Sequence, residues 1–193
     1  QKRNIKNRTG IELKVVAITA RNRRKKRSVD VSSFKWIQSP IDVAKDPDVD
    51  VVVELIGDMD KTAAKVIKEA INNGKHVVTA NKSLLAKKGS VFEELAMQKG
   101  VFLRYEAAVA GGIPIIKVLQ DSLIVNKISK LYGVINGTCN FILTKMESDG
   151  REYSDVFSEA KKLGYVESDP QLDIGGIDSA HKLALLSCLA FGT

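Results

Sequence analysis

Lys182 is the one lysine in an apolar run, Asp178–Ala190, where it stands between His181 and Leu183-Ala184-Leu185-Leu186. An isolated buried ammonium is costly, so a lysine in such a place must pair or change its protonation. Asp178 stands four residues earlier, on the same helical face one turn away. Two readings stay open for the pair. It is either a surface ion pair worth ~0.2–0.5 kcal/mol, or a lysine placed to move a proton with a carboxylate that orients it. The loop YVESDPQLD, residues 165–173, carries Glu167 and Asp173 and is stiffened by Pro170. Its acids suit either a ligand's ammonium group or a solvated turn. Lys82, in Thr79-Ala80-Asn81-Lys82, follows the end of an expected strand. Ligands of open α/β sheets sit outside the carboxyl ends of the strands; the other reading is a surface lysine at a helix start.

These groups need elements to hold them. Leu13–Ile18 and Asp50–Leu55 read as buried strands, with an irregular stretch from Ser28 to Trp36 and a short helix from Ser39-Pro40 to Lys45 between them. The first ten residues read as a helix end or a linker. Ala63, Val66, Ile67, Ala70 and Ile71 form one apolar helical stripe that Asn73-Gly74 ends. His76–Thr79 is a third strand. A helix from Ser83 is expected to break or restart at Gly89, with Ser90 and Glu93 in capping-box spacing, before a fourth strand, Val101–Tyr105. Such alternation implies βαβ units and a parallel sheet. The texture then changes, and a domain boundary is placed near residues 106–113. Beyond it come a helix from Pro114 to about Leu123, a strand over Lys130–Val134, a loop at Asn136-Gly137-Thr138, helices over Asn140–Ser148 and Ser154–Leu163, and the final apolar helix after Gly175-Gly176.

The 193 residues are 44% hydrophobic and 27% charged, as in ordinary globular chains, which excludes a disordered or collagen-like protein. The net charge of +7 points to an acidic partner, and it is concentrated in RNRRKKR, Arg21–Arg27. No apolar run reaches the ~20 residues of a membrane span. Cys139 and Cys188 make no disulfide framework, and with His76 and His181 they have no metal-ligand spacing. A reducing, cytoplasmic setting is expected, with no membrane partner. A basic nucleic-acid-binding module is an alternative, but no aromatic residue interleaves with the basic run as a stacking platform requires.

A sheet of this kind often binds a dinucleotide through G-x-G-x-x-G after its first strand. That motif is absent. Either the sheet binds no dinucleotide, or the sequence begins after the loop. In the second case Leu13–Ile18 is the second strand, whose end holds the ribose 2′-OH of NAD through an acid or the 2′-phosphate of NADP through Arg. Arg21 stands there.

Four stretches, VVTANKSLLA (77–86), YEAAVAGGIPII (105–116), GVINGTCNFILTKM (133–146) and LGYVESDPQLDIGGIDSAHKLALL (163–186), closely resemble homoserine dehydrogenase. The resemblance runs from about Ile11 to Thr193 and is most specific in the last stretch. It implies an α/β chain, with an incomplete Rossmann-type dinucleotide-binding domain (1–110) followed by part of an α+β substrate and dimerisation domain (111–193). The chain is then an internal fragment, lacking the Gly-rich loop and the C-terminal part, and its catalytic inactivity in isolation is a further alternative. The implied reaction is the NADP- or NAD-dependent interconversion of L-homoserine and L-aspartate 4-semialdehyde, in the pathway to threonine, methionine and isoleucine, by a homodimer or higher homo-oligomer. The resemblance assigns Lys182 as proton donor or acceptor, Asp178 as its orienting partner and Lys82 as a bridge between cofactor and substrate. It assigns Glu167, Tyr165, Asp173, Gly137 and Thr138 to the substrate, and Arg21, Ile56, Gly57, Thr79, Asn81 and Lys82 to the cofactor. It also implies a structural monovalent cation, Na+ or K+, on Glu106 and the carbonyls of Val109, Gly111 and Ile113.

Overall fold

Helices and short parallel strands alternate through the first half of the chain. A computed structural model describes residues 1–56, 61–166 and 170–192. In order these form α1 (Lys2–Thr9), β1 (Ala17–Ile18), β2 (Lys35–Trp36), α2 (Pro40–Lys45), β3 (Val51–Glu54), α3 (Lys61–Asn72), β4 (His76–Thr79), α4 (Lys82–Gln98) and β5 (Leu103–Arg104). There follow α5 (Glu106–Val109), α6 (Ile115–Lys117) running into a π-helical turn (Val118–Ser122), α7 (Gly137–Asp149), α8 (Tyr153–Lys162), α9 (Pro170–Ile174) and α10 (Ile177–Phe191). The chain divides into two compact units: residues 1–78 with 90–104, and residues 79–89 with 105–193.

In the first unit β1 and β2 pair in parallel, and a second parallel sheet has the order β3-β4-β5, with Val77 opposite Leu103. The stripe Ala63, Val66, Ile67, Ala70 and Ile71 is buried along α3, which packs on α2 and β3. Burying each Val or Ile of that stripe is worth roughly 1.5–3 kcal/mol, so this face holds the layers together. Val52 and Glu54 of β3 point inward, while Val51 and Val53 are exposed on the other face. Lys75 is buried and donates to the carbonyls of Asp46 and Val49 at 2.6 and 2.5 Å, tying the end of α2 to the entry of β4.

The parallel α/β expectation holds, and several boundaries move. Only Ala17–Ile18 of the expected Leu13–Ile18 strand is paired; Leu13 and Val15 stay exposed. Its partner is Lys35–Trp36, inside the stretch expected to be irregular. The helix does not break at Gly89: α4 runs through it, and Ser90 sits mid-helix rather than at a cap. Burial of Leu85, Phe92 and Ala96 outweighs the ~1 kcal/mol that glycine costs a helix. The expected strand Val101–Tyr105 shrinks to Leu103–Arg104.

In the second unit α7 and α8 pack around Ile142, Val156 and Ala160, and α10 packs on α5 and the π-helical turn. The expected helix from Pro114 to Leu123 is split, its second half taking π geometry. Lys130–Val134 forms no strand. Its β-rich residues have no hydrogen-bonded neighbour strand among the described residues, and Tyr132 and Val134 are exposed. The acidic loop contains an element that the residue pattern did not announce, α9, which begins at Pro170.

Candidate active site

The second unit gathers charged side chains from α4, α9 and α10 around the start of α7. Asp178 is buried in the first turn of α10. Its Oδ2 receives Lys182 Nζ at 2.8 Å, the expected one-turn pair. Its Oδ1 receives Lys82 Nζ, also at 2.8 Å. One carboxylate therefore holds two ammonium groups, one on each oxygen. Lys182 Nζ also donates to the carbonyl of Ile135 at 2.8 Å. Burial would raise the Asp178 pKa, but hydrogen bonds from Lys182, Lys82 and Asn136 outweigh it and hold the group down at about 2. The pair is no surface ion pair, since the Lys182 side chain is only 18% exposed.

Asn136 is the residue that the motif reading passed over. It caps α7, its Oδ1 accepting the Cys139 amide at 2.8 Å. Its Nδ2 donates to Asp173 Oδ1 and to Asp178 Oδ2, both at 3.0 Å. The available signal was an Asn opening a helix, but placing the helix start at Asn140 hid it. Thr138 is buried, and its hydroxyl donates to the Tyr165 carbonyl at 2.6 Å and lies 3.5 Å from Asp173 Oδ2. The hydroxyl proton thus holds the backbone of Tyr165, whose half-exposed ring meets Phe141 edge-on at 5.0 Å. Gly137 is exposed at the first position of α7, where helix geometry leaves its N–H without an intrahelical acceptor. Asp173 is buried, and its carbonyl accepts from Cys139 Sγ at 3.4 Å. Burial, then the charges of Asp173 and Asp178, push the Cys139 thiol pKa up. Glu167 lies outside the described residues.

Two glycines bring Asp173 and Asp178 to one place. Gly176 caps α10 at φ 73°, a left-handed conformation that favours glycine. A Cβ on Gly175 would lie 2.5 Å from the Gln171 carbonyl oxygen, which already accepts the Gly175 amide. A Gly175→Ala variant should therefore push α9 away from α10 and lose about 2 kcal/mol of stability, the usual cost of overpacking. Thermal unfolding checks this, and an unchanged midpoint would show that the turn can give.

Thr79 and Asn81 are buried and build the turn from β4 into α4. Thr79 Oγ1 accepts the Asn81 amide at 3.1 Å, and Asn81 Oδ1 accepts the Leu84 amide at 3.2 Å. That cap sets Lys82 at the first position of α4. Arg21 and Ile56 belong to the first unit, and Gly57 lies outside the described residues. Beside Arg21 the basic run is folded on itself. Arg27 donates to the carbonyls of Asn22, Arg23 and Lys25, and Arg23 and Arg27 lie over the Trp36 ring at 5.7 and 5.3 Å. The sequence shows no aromatic within that run; folding brings one to it. Trp36 is half-buried and already engaged by the chain's own arginines.

Glu106 Oε1 and Oε2 accept the amides of Ile116 and Lys117 at 2.7 and 2.9 Å, and Ile113 O accepts the Ile115 amide at 2.9 Å. Glu106 with the carbonyls of Val109, Gly111 and Ile113 is a hard-oxygen donor set, the kind that suits Na+ or K+. The carboxylate nevertheless faces the start of α6. No cluster of three His, Cys, Asp or Glu side chains able to hold a metal occurs among the described residues, and no helix among them is long and apolar enough to cross a membrane.

Known proteins are similar to this chain over most of its length. Homoserine dehydrogenase of Pseudomonas aeruginosa is 48% identical over 188 residues, 97% of this chain and 43% of that protein. The crystal structure of a homoserine dehydrogenase from Thiobacillus denitrificans is 49% identical with a TM-score of 0.91, over 98% of this chain and 44% of that one. A hyperthermophilic archaeal homoserine dehydrogenase in complex with NADPH is 32% identical with a TM-score of 0.75, over 84% of this chain and 50% of that one. This chain thus spans less than half the length of the curated relative. Two family models also match, "Homoserine dehydrogenase, NAD binding domain" over residues 1–106 and "Homoserine dehydrogenase" over 114–193. Models that meet almost end to end along one sequence, and relatives matched at nearly half identity, leave one assignment: the chain belongs to the homoserine dehydrogenase family.

Proposed function

We propose that the protein carrying this chain interconverts L-homoserine and L-aspartate 4-semialdehyde with a nicotinamide cofactor. The observation that carries this reading is the Asp178 carboxylate with Lys82 on one oxygen and Lys182 on the other. When bound, the nicotinamide supplies the hydride to the aldehyde carbon or takes it from the alcohol carbon. Lys182 handles the proton. Two of its three N–H groups are spent on Asp178 and the Ile135 carbonyl, which leaves one direction for substrate. In reduction that N–H gives its proton to the forming alkoxide oxygen. In oxidation the neutral amine keeps its two protein hydrogen bonds and presents its lone pair to the hydroxyl proton. Asp178 orients the amine through its Oδ2.

Lys82 reaches from the turn after β4 with N–H groups to spare, which suits a bridge between substrate and cofactor. Glu167 and Asp173 are the acids proposed for the substrate ammonium, with Tyr165, Gly137 and Thr138 forming that wall. Arg21, Ile56, Gly57, Thr79 and Asn81 are proposed for the cofactor, and Arg21 favours NADP through its 2′-phosphate. A Na+ or K+ on Glu106 and the carbonyls of Val109, Gly111 and Ile113 would be structural. The complete protein would be cytoplasmic and act as a homodimer or higher homo-oligomer.

The test is an assay of the complete protein for homoserine-dependent reduction of NADP+ and NAD+, followed by absorbance of the reduced nicotinamide. Reduction with homoserine, faster with NADP+, is expected. Its absence with both cofactors at saturating homoserine would overturn the reading.

A further inference from the structure

We propose that Asn136 is a positioning residue, whose amide ties Asp173 and Asp178 together so that Asp178 faces both lysines. The inference rests on the reading of Lys182 as the proton-transfer group. It goes beyond that reading because it concerns a residue with no reacting atom.

Two carboxylates brought together from α9 and α10 repel unless donors lie between them. The Nδ2 group of Asn136 is that donor, with one N–H on Asp173 Oδ1 and one on Asp178 Oδ2, each at 3.0 Å. The amide can lie only one way round. Reversed, it would set its oxygen against two carboxylates and its NH2 against the Cys139 amide, three like-to-like contacts. Asn136 is buried, so water does not readily replace it there. Its neighbour Ile135 holds Lys182 through its carbonyl. Two consecutive residues therefore set both partners of the proton-transfer pair, the lysine by a backbone oxygen and the carboxylate by a side-chain amide. The cap on α7 fixes this dipeptide in turn, because the Asn136 Oδ1 that accepts the Cys139 amide belongs to the same planar group.

Asn136 has two tasks, capping α7 and bridging the carboxylates, and substitution separates them. Ser and Asp cap helices about as well as Asn. Neither offers two donors to two carboxylates, and Asp adds a third negative charge. In the complete enzyme, kcat of Asn136→Ser is expected to fall about 10- to 100-fold and that of Asn136→Asp further. KM for the nicotinamide cofactor should stay within about twofold of wild type, while the unfolding midpoint of Asn136→Ser should fall modestly, because the cap survives and the two buried carboxylates lose a donor. The acid limb of the kcat–pH profile should move to higher pH in both variants, since a carboxylate that loses a donor is protonated more readily. A residue that only capped the helix would leave kcat and the pH profile of both variants at wild type, and that result overturns the proposal. So does the failure of both variants to fold, which would make Asn136 a stability residue. An active wild type with unaffected variants refutes the positioning role alone, whereas a wild type without homoserine-dependent activity refutes the functional reading and this inference with it.

Discussion

Replacing Lys182 by alanine in the complete enzyme is expected to lower kcat by about 10²–10⁴-fold, the range lost when acid–base help is removed. Its Nζ is held on two sides, by Asp178 and by the Ile135 carbonyl, so its remaining position is directed rather than free. Alanine removes the proton carrier and leaves Asp178 paired with Lys82 and Asn136. Lys182→Arg separates charge from proton transfer. Arginine keeps a cation beside Asp178 but does not give up its proton near neutral pH, so it should be almost as slow as alanine. Steady-state kinetics with homoserine and saturating cofactor read both variants. A fast arginine variant would mean that Lys182 acts as a fixed charge, and a fast alanine variant would remove it from the chemistry.

Asp178→Asn is expected to cost both activity and stability. The variant leaves two ammonium groups, from Lys82 and Lys182, around a neutral amide, so they repel where they were previously neutralised. A loss in kcat of about 10²-fold is expected as Lys182 loses its orientation. The stability effect has a pH signature. The Asp178 pKa is lowered from 3.8 to about 2 in the folded protein, so the folded state binds this proton less readily than the unfolded chain. The resulting stabilisation, about 2 kcal/mol, is fully present above the unfolded value, near pH 4, and is lost as pH falls through the folded value, near pH 2. Urea unfolding between pH 2 and pH 6 should show this slope in the wild type and a flatter one in Asp178→Asn, which should be about 2–4 kcal/mol less stable at neutral pH. Equal slopes in the two proteins would show that Asp178 is not the linked group.

Much of the local order was legible in the residues. The α3 stripe and its Asn73-Gly74 stop appear as read, because burial of one helical face is encoded at a spacing of three and four residues. His76–Thr79 appears with the expected bounds. Errors fell where a non-local partner decides. Lys130–Val134 has strand chemistry and no strand beside it among the described residues, while Lys35–Trp36 lies at the end of a polar, irregular-looking stretch and becomes β2 because Ala17–Ile18 lies alongside. Gly89 was read as a break because its cost is local, whereas the burial that offsets it is tertiary.

The candidate site divides along the same line. Asp178 and Lys182 were readable as a pair because one helical turn joins them, and the family motifs assigned Lys82 to cofactor and substrate, and Asp173 and Thr138 to the substrate, without saying which protein groups each would meet. Sequence by itself determined the α/β class, the family and the one-turn ion pair, since these depend on residue order and short periodicities. Only the tertiary structure decided that Lys82 shares the Asp178 carboxylate, that the Thr138 hydroxyl is spent on Tyr165, and that Asn136 bridges Asp173 and Asp178 across 37 and 42 residues of chain. Hydrogen bonds over such separations have no periodic signature; they form where packed helices and the Gly175-Gly176 turn bring their ends together, and burial then makes each unpaired group too costly to leave.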